Sequence, residues 1–411
     1  MKPSEYSIAT PTQVKQPNDS WLLRRYLSKV LRHLPKLEYG TLSLYLPNGK
    51  ELQFGRAAPG EPRAEVRLHS LKPIRRLLRS GSIGWAESYM AGEWDSSDLT
   101  ALIRWGLGNE HQMEEIVGGH SLLNFFNRLI HLARANTRRG SRKNIAYHYD
   151  LGNDFYQLWL DQSMTYSAAL YEEHTDLFAA QQNKYRRICA MLNITPGDSV
   201  LEIGCGWGGF AELAAREYGA TVTGVTLSKE QLDYAQRRIA VAGLSSKVQL
   251  HLLDYRDIEG QYDHIVSIEM FEAVGEENWP TYFQQIKRLL KPDASALLQV
   301  ITIANDRFEP YRRAADFIQK YIFPGGMLPS PEALESQVGQ ANLSLDESLY
   351  FGKDYARTLA HWRHAFLTQW PRVQAQGFDE RFRRMWLYYL CYCEGGFTEG
   401  SIDVGLFKIS H

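Results

Sequence analysis

Between residues 198 and 303 the chain alternates short runs of Val, Ile and Leu with amphipathic stretches: DSVLEIG, GGFAELAAREYG, ATVTGV, KEQLDYAQRRIAVAG, VQLHLLD, DHIVSIEMF, YFQQIKRLLKP and SALLQVITI. The short apolar runs have the length of buried strands, and the segments between them have helical spacing. A β-α-β-α series of this kind predicts an α/β fold built on a doubly wound, mostly parallel sheet. Ligands of such sheets bind beyond the carboxyl ends of the strands, so the residues that follow each strand are where chemistry is expected.

The first strand runs into Glu202-Ile203-Gly204-Cys205-Gly206-Trp207-Gly208-Gly209. Backbone that turns sharply and approaches a ligand closely calls for glycine. Gly204, Gly206 and Gly209 match the G-x-G-x-x-G spacing of dinucleotide sites, but Gly224-Val225-Thr226 lacks the acid those sites place about 20 residues on for the ribose. An acid two residues before the first glycine fits the S-adenosylmethionine form, E/D-x-G-x-G-x-G. There Glu202 anchors the amino-acid end of the cofactor, and Gly204, Gly206 and Gly208 make the turn. Asp254 closes VQLHLLD, where class I methyltransferases place an acid or amide near the adenine. Glu269 and Glu272 follow the next strand and are candidates to face the reacting centre.

The formal charge of −1 hides an asymmetry: residues 1–145 hold 22 Lys+Arg and 13 Asp+Glu, about +9, and the rest hold 24 and 34, about −10. A basic front half suits an anionic partner, either nucleic acid or a membrane surface. Four parts are expected. Residues 1–20 form a flexible N-terminus. Residues 21–120 form a small α+β domain for lipid or membrane contact, with a basic helix from Trp21 stopping at Pro35, a hairpin around Asn48-Gly49, a third strand in AEVRLHS and a short basic helix closed by Gly81. Residues 121–144 form a basic amphipathic linker helix, and residues 145–411 the catalytic domain. Cys189, Cys205, Cys391 and Cys393 form no metal-binding spacing, and no metal is expected. The N-terminus lacks a signal-like apolar stretch and no apolar run reaches spanning length, so a cytoplasmic protein is expected.

The stretches GSIGWAESYMAGEW (81–94), IAYHYDLGNDFYQLWLDQSMTYSAALY (145–171), VLEIGCGWGGFA (200–211), GVTLSKEQ (224–231), DHIVSIEMFEAVG (263–275), KYIFPGGMLPS (320–330) and LYFGKDYARTLAHW (349–362) go further. Together they resemble the cyclopropane-fatty-acyl-phospholipid synthases, a family that includes the mycolic acid cyclopropane synthases and methyltransferases. The resemblance implies a Rossmann-like class I methyltransferase that transfers the methyl of S-adenosylmethionine to a cis double bond of an acyl chain in membrane phospholipid. A carbocation results, a base takes a proton, and the ring closes. It also implies peripheral association with an anionic membrane surface at the inner face, and a homodimer. Cofactor contacts carried over are Tyr166, Ser167, Gly204, Gly206, Thr226, Leu227, Gln231 and Tyr255, with Ile268 near the sulfonium.

In that family a bound bicarbonate ion is the base, held by a Cys, a Glu, a His, a Tyr and a backbone amide. Glu272, Tyr355 and the amide of Ile301 match. The Cys position is Ala168 and the His position is Gln299, and the His that follows the Glu in many relatives is Ala273. Three alternatives follow: a remodelled bicarbonate site, a protein carboxylate (Glu272 or Glu269) as the base, or a methyl- or methylene-branched product in place of the ring. Other readings are a small-molecule N-methyltransferase and a lipid-binding protein without chemistry. Nucleic acid is not an expected partner, because no base-flipping motif is present.

Overall fold

The computed structural model describes residues 21–110, 112, 151–173, 176–313 and 316–411. The expected linker helix at 121–144 and the flexible residues 1–20 lie outside these. The front unit begins with helix α1 (Trp21–His33), strands β1 (Thr41–Tyr45), β2 (Glu51–Gly55) and β3 (Arg63–Leu68), helix α2 (Lys72–Met90), the short strand β4 (Trp94–Asp95) and helix α3 (Leu99–Gly108). β1 and β2 form the expected hairpin, and the sheet order is β2-β1-β3-β4, with β3 parallel to β1. The basic helix does not close at Gly81; Gly81 takes φ 57 and ψ −145, kinking the chain, and the helix resumes to Met90. Glycine alone takes that conformation cheaply, and the apolar positions Ile83, Ala86, Tyr89 and Met90 then reward continuing the helix by burying against the core.

The second unit contains α4 (Leu177–Leu192), β5 (Ser199–Ile203), α5 (Gly209–Glu217), β6 (Thr221–Thr226), α6 (Lys229–Val241), β7 (Val248–Leu252), β8 (Tyr262–Ile268), α7 (Trp279–Leu289), β9 (Leu290–Ile303), α8 (Asn305–Arg313), α9 (Pro331–Gln340), β10 (Ser344–Tyr350), α10 (Gly352–Ala375), α11 (Glu380–Glu399) and β11 (Ile402–Ser410). The seven strands are ordered β10-β11-β9-β8-β5-β6-β7. β5 to β9 are parallel, while β11 runs antiparallel to both β9 and β10. This is the class I methyltransferase sheet. Val200, Leu201, Ile265, Val266, Leu297 and Leu298 are almost fully buried, as strands covered by helices on both faces must be.

The two units share one continuous apolar cluster that runs from Leu42 and Trp94 to Trp362 and Phe397. Polar ties reinforce it: Arg104 to Glu399, Thr100 to Glu394, Arg384 to Asp95 and Lys320 to Glu87. The front unit therefore sits on α11, the helix that also faces the catalytic cavity. No helix among the described residues is long and apolar enough to cross a membrane.

Candidate active site

The carboxyl ends of β5, β6, β7 and β8 open on one cavity of about 530 Å³. At the end of β5 the chain makes the glycine turn. Gly204, Gly206 and Gly208 all have positive φ (84, 49 and 81), and the amides of Gly204 and Cys205 both donate to the carbonyl of Val225 at 2.9 Å. A Cβ on Gly206 would have no protein atom within 4 Å, because that side of the turn is cavity. A Cβ on Gly204 would strike Met270 Cγ at 2.9 Å. The turn is thus shaped to keep a strand end open for a ligand.

Tyr166, Gly204, Gly206, Thr226, Leu227, Gln231, Tyr255 and Ile268 all line this cavity. Gln231 enters from the first turn of α6; its carboxamide oxygen accepts from the Thr226 hydroxyl at 2.9 Å, which orients the amide. Ser167, Glu202, Gly208 and Asp254 do not reach the wall. Asp254 is instead held by a bidentate pair with Arg256, at 2.8 and 2.7 Å. Glu202 is buried in β5, where the backbone amide of Ala211, in the first turn of α5, favours its charged form while burial pushes its pKa well up.

Glu269 and Glu272 both line the cavity, as do Ile301 and Tyr355. Glu269 directly follows β8 and has φ 49, a left-handed backbone that a glutamate adopts only at a cost of order 1–3 kcal/mol. That conformation aims its carboxylate at three donors. Oε1 accepts from the Ala168 amide at 2.8 Å and from Gln299 Nε2 at 2.7 Å, and Oε2 accepts from the Tyr355 hydroxyl at 2.7 Å. Glu272 has one: its Oε1 accepts from the Ile301 amide at 2.6 Å, and its Oε2 has no partner among the described residues.

The two carboxyls are therefore separated in character. Burial raises both, but Glu269 is offset by the Lys184 charge and by its three hydrogen bonds. Glu272 is pushed to about 8 by burial and by the neighbouring Glu269. Glu272, pushed to about 8, holds its proton near neutral pH, while the charge on Lys184 and three donors oppose the effect of burial on Glu269 and favour its charged form. Environments that pull two acids apart in this way assign one as proton carrier and the other as base.

This geometry bears on the bicarbonate alternative. Tyr355 and Gln299 already donate to Glu269, and Ile301 already donates to Glu272. An added anion would meet the Glu269 carboxylate and would have to compete with it for Tyr355 and Gln299, so this arrangement favours a protein carboxylate over a bicarbonate ion. Ala168 and Gln299, which stand at the Cys and His positions, are both ligands of the Glu269 carboxylate.

Sequence reasoning missed Lys184. It is fully buried in α4, and its Nζ donates to Ser167 Oγ at 2.5 Å. Gln181, one turn earlier, donates to the Ser167 carbonyl at 2.8 Å. Together they fix the segment that presents Tyr166 to the cavity and the Ala168 amide to Glu269. Burial lowers the Lys184 pKa to about 7, opposed by Glu269, Asp161 and Glu202. The signal was in the sequence: Gln181 and Lys184 occupy the same helical stripe as Ala180, Tyr185, Ile188 and Leu192, where a polar residue needs a partner.

The raised pKa of Glu272 has a measurable consequence. A folded group that keeps its proton up to about pH 8, against an ordinary 4.5, makes stability fall as pH rises through that window. Glu272→Gln has no proton to release. Its melting temperature relative to wild type should rise steadily between about pH 5 and pH 8. A difference that stays constant across thermal melts in that range would show that Glu272 titrates normally.

A sequence profile of the family described as Mycolic acid cyclopropane synthetase matches residues 136–407. Tuberculostearic acid methyltransferase UfaA1 of Mycobacterium tuberculosis is 38% identical over 404 residues, covering 93% of this chain and 89% of that protein. The cyclopropane-fatty-acyl-phospholipid synthase of Escherichia coli (strain K12) is 38% identical over 359 residues, covering 85% and 88%. Among solved structures, mycolic acid cyclopropane synthase CmaA1 complexed with SAH and CTAB aligns with a TM-score of 0.63 at 31% identity, covering 66% of this chain and 98% of that one.

Proposed function

The chain belongs to the mycolic acid cyclopropane synthetase family and is an S-adenosylmethionine-dependent methyltransferase, and from that premise we propose that it methylates the cis double bond of an unsaturated acyl chain in membrane phospholipid, with Glu269 as the base. The observation that carries this reading is the Glu269 carboxylate, held by three donors on the wall of a cavity that also receives the glycine turn.

S-adenosylmethionine supplies an electrophilic methyl. The alkene π electrons form the new C–C bond as the C–S bond breaks, which leaves S-adenosylhomocysteine and a carbocation on the acyl chain. The alkene is a weak nucleophile, so catalysis relies on alignment and on exclusion of water. Tyr166, Gln231 and the turn at Gly204 and Gly206 would hold the donor, with Ile268 on the same wall. Leu359, Phe323 and Phe397 give the chain an apolar wall. Glu269 then takes a proton from the transferred methyl group itself, and the released C–H electron pair bonds that carbon to the cationic carbon and closes the ring. Tyr355, Gln299 and the Ala168 amide position that carboxylate, and Glu272 stays protonated beside it. A second reading, a methyl- or methylene-branched product, is supported by Ala168 and Gln299 standing where the Cys and His of the bicarbonate site would be, and by the similarity to a tuberculostearic acid methyltransferase.

The testing experiment supplies methyl-deuterated S-adenosylmethionine to vesicles of unsaturated phospholipid and analyses the acyl chains by mass spectrometry. Two deuteriums in a saturated cyclic chain support ring closure. Three deuteriums in a branched unsaturated chain, or two in an exocyclic methylene, support the second reading. No label in any acyl chain refutes both.

The membrane part of the proposal rests on α2. Lys72, Arg75 and Arg79 are exposed along one face, while Ile74 and Leu78 are buried on the other. Each basic residue near an anionic bilayer contributes about 1 kcal/mol. Reversing Arg75 and Arg79 to Glu should therefore weaken sedimentation with anionic vesicles at least tenfold at low salt. Binding that does not change would place the contact elsewhere.

A further inference from the structure

The charged residues lining the cavity are Glu110, Glu269, Glu272, Asp306, Arg307 and Asp316, so Arg307 is its one cation among the described lining residues. Glu269 and Glu272 lie beside the glycine turn, in the part of the cavity that holds the donor. Arg307 is in the first turn of α8 and pairs with Glu110, just past α3, at 2.5 Å. Its side chain is 27% exposed and that of Glu110 is 42% exposed. Leu107, Ile303, Leu328 and Phe397 supply an apolar surface in the same cavity. One compartment therefore combines an acid pair, an apolar wall and a partly solvated guanidinium.

That arrangement matches a ligand with a long apolar chain and an anionic end. We infer that Arg307 binds the phosphodiester of the phospholipid whose acyl chain reaches Glu269, with Glu110 as the counter-ion that the phosphodiester displaces. The inference rests on the lipid reading above and adds the residue that selects the substrate's head.

The chemistry supports the exchange. A half-exposed carboxylate–guanidinium pair contributes little, so replacing its carboxylate costs little. A guanidinium takes two phosphate oxygens at once in a fork that a lysine lacks. Paired with Glu110, the guanidinium stays neutralised while the cavity is empty. Because α3 belongs to the front unit and α8 to the catalytic unit, the phosphodiester would sit where the two units meet.

The alternative is a purely structural tie, and two variants separate them. Methyl transfer is measured at saturating vesicle surface while the mole fraction of dioleoyl phosphatidylglycerol in neutral carrier vesicles is varied. Arg307→Gln should raise the apparent KM about tenfold, as expected for one lost charge-assisted hydrogen bond, with kcat changed far less. Glu110→Gln, which frees the guanidinium, should lower KM. With diolein, which has the same chains and no phosphate, Arg307→Gln should match wild type. Equal losses in both variants would mean a structural tie and overturn the inference. A penalty seen with free oleate but not with phospholipid would overturn the phosphodiester assignment. If the wild type methylates no acyl lipid, the lipid reading itself has failed; if it is active and Arg307→Gln equals it on phospholipid, only this inference has.

Discussion

Glu269→Gln is expected to lower product formation by about 100- to 10,000-fold, the usual effect of removing a general base. Glutamine keeps the shape of the side chain and can still accept from Tyr355, but it cannot take a proton. The affinity for S-adenosylmethionine should stay close to wild type, because Glu269 is proposed to act on the acyl cation. Glu272→Gln makes the matched control: a carboxyl with its pKa near 8 already carries a proton at neutral pH, so the neutral isostere should keep activity within about tenfold. The wild-type rate should fall on the acid side at a pH above the ordinary carboxylate range, because burial raises Glu269. Single-turnover assays with labelled donor read all three. Loss in Glu272→Gln with retention in Glu269→Gln would reverse the roles.

The second large effect comes from Glu269→Gly. Glycine accepts φ 49 without strain, and deleting the side chain frees the Ala168 amide, the Gln299 amide and the Tyr355 hydroxyl together. Three convergent donors around a carboxylate-sized space are an anion site. The variant should be nearly inactive in carbonate-free buffer and regain activity, saturably, on addition of bicarbonate or formate. Wild type should not respond to either. Adding Ala168→Cys and Gln299→His to the glycine variant should shift the bicarbonate concentration needed. A glycine variant that binds the methyl donor normally but is rescued by no small carboxylate would refute Glu269 as the base.

Much of this site could be read along the chain. The strand–helix alternation specified the parallel sheet, and Gly204, Gly206, Thr226 and Gln231 line one cavity, because a strand end and the turn after it are local in sequence. The Glu269 cluster was not legible to the same degree. Its ligands come from residues 168, 299 and 355, and only the fold brings these together. The sequence put Glu272 first, as the match to the family's Glu, with Glu269 as an alternative base; the difference between three donors and one favours Glu269 instead. The continuation of α2 past Gly81 was hidden for a different reason. A glycine with positive φ ends many helices, and only the burial of Tyr89 and Met90 shows that this one resumes.

A base covalently part of the chain has full occupancy at every turnover. A dissolved anion serves only in the fraction of molecules it happens to occupy, a fraction set by its concentration and lost when carbon dioxide is depleted. Fixing the carboxylate to the end of β8 replaces that binding equilibrium with an intramolecular one, whose effective molarity can exceed any concentration a solute reaches. Under the proposed mechanism, the rate should then track the supply of methyl donor and acceptor chains alone. With Glu269 as the proposed base, methyl transfer by this protein is expected not to depend on the inorganic carbon status of the cell.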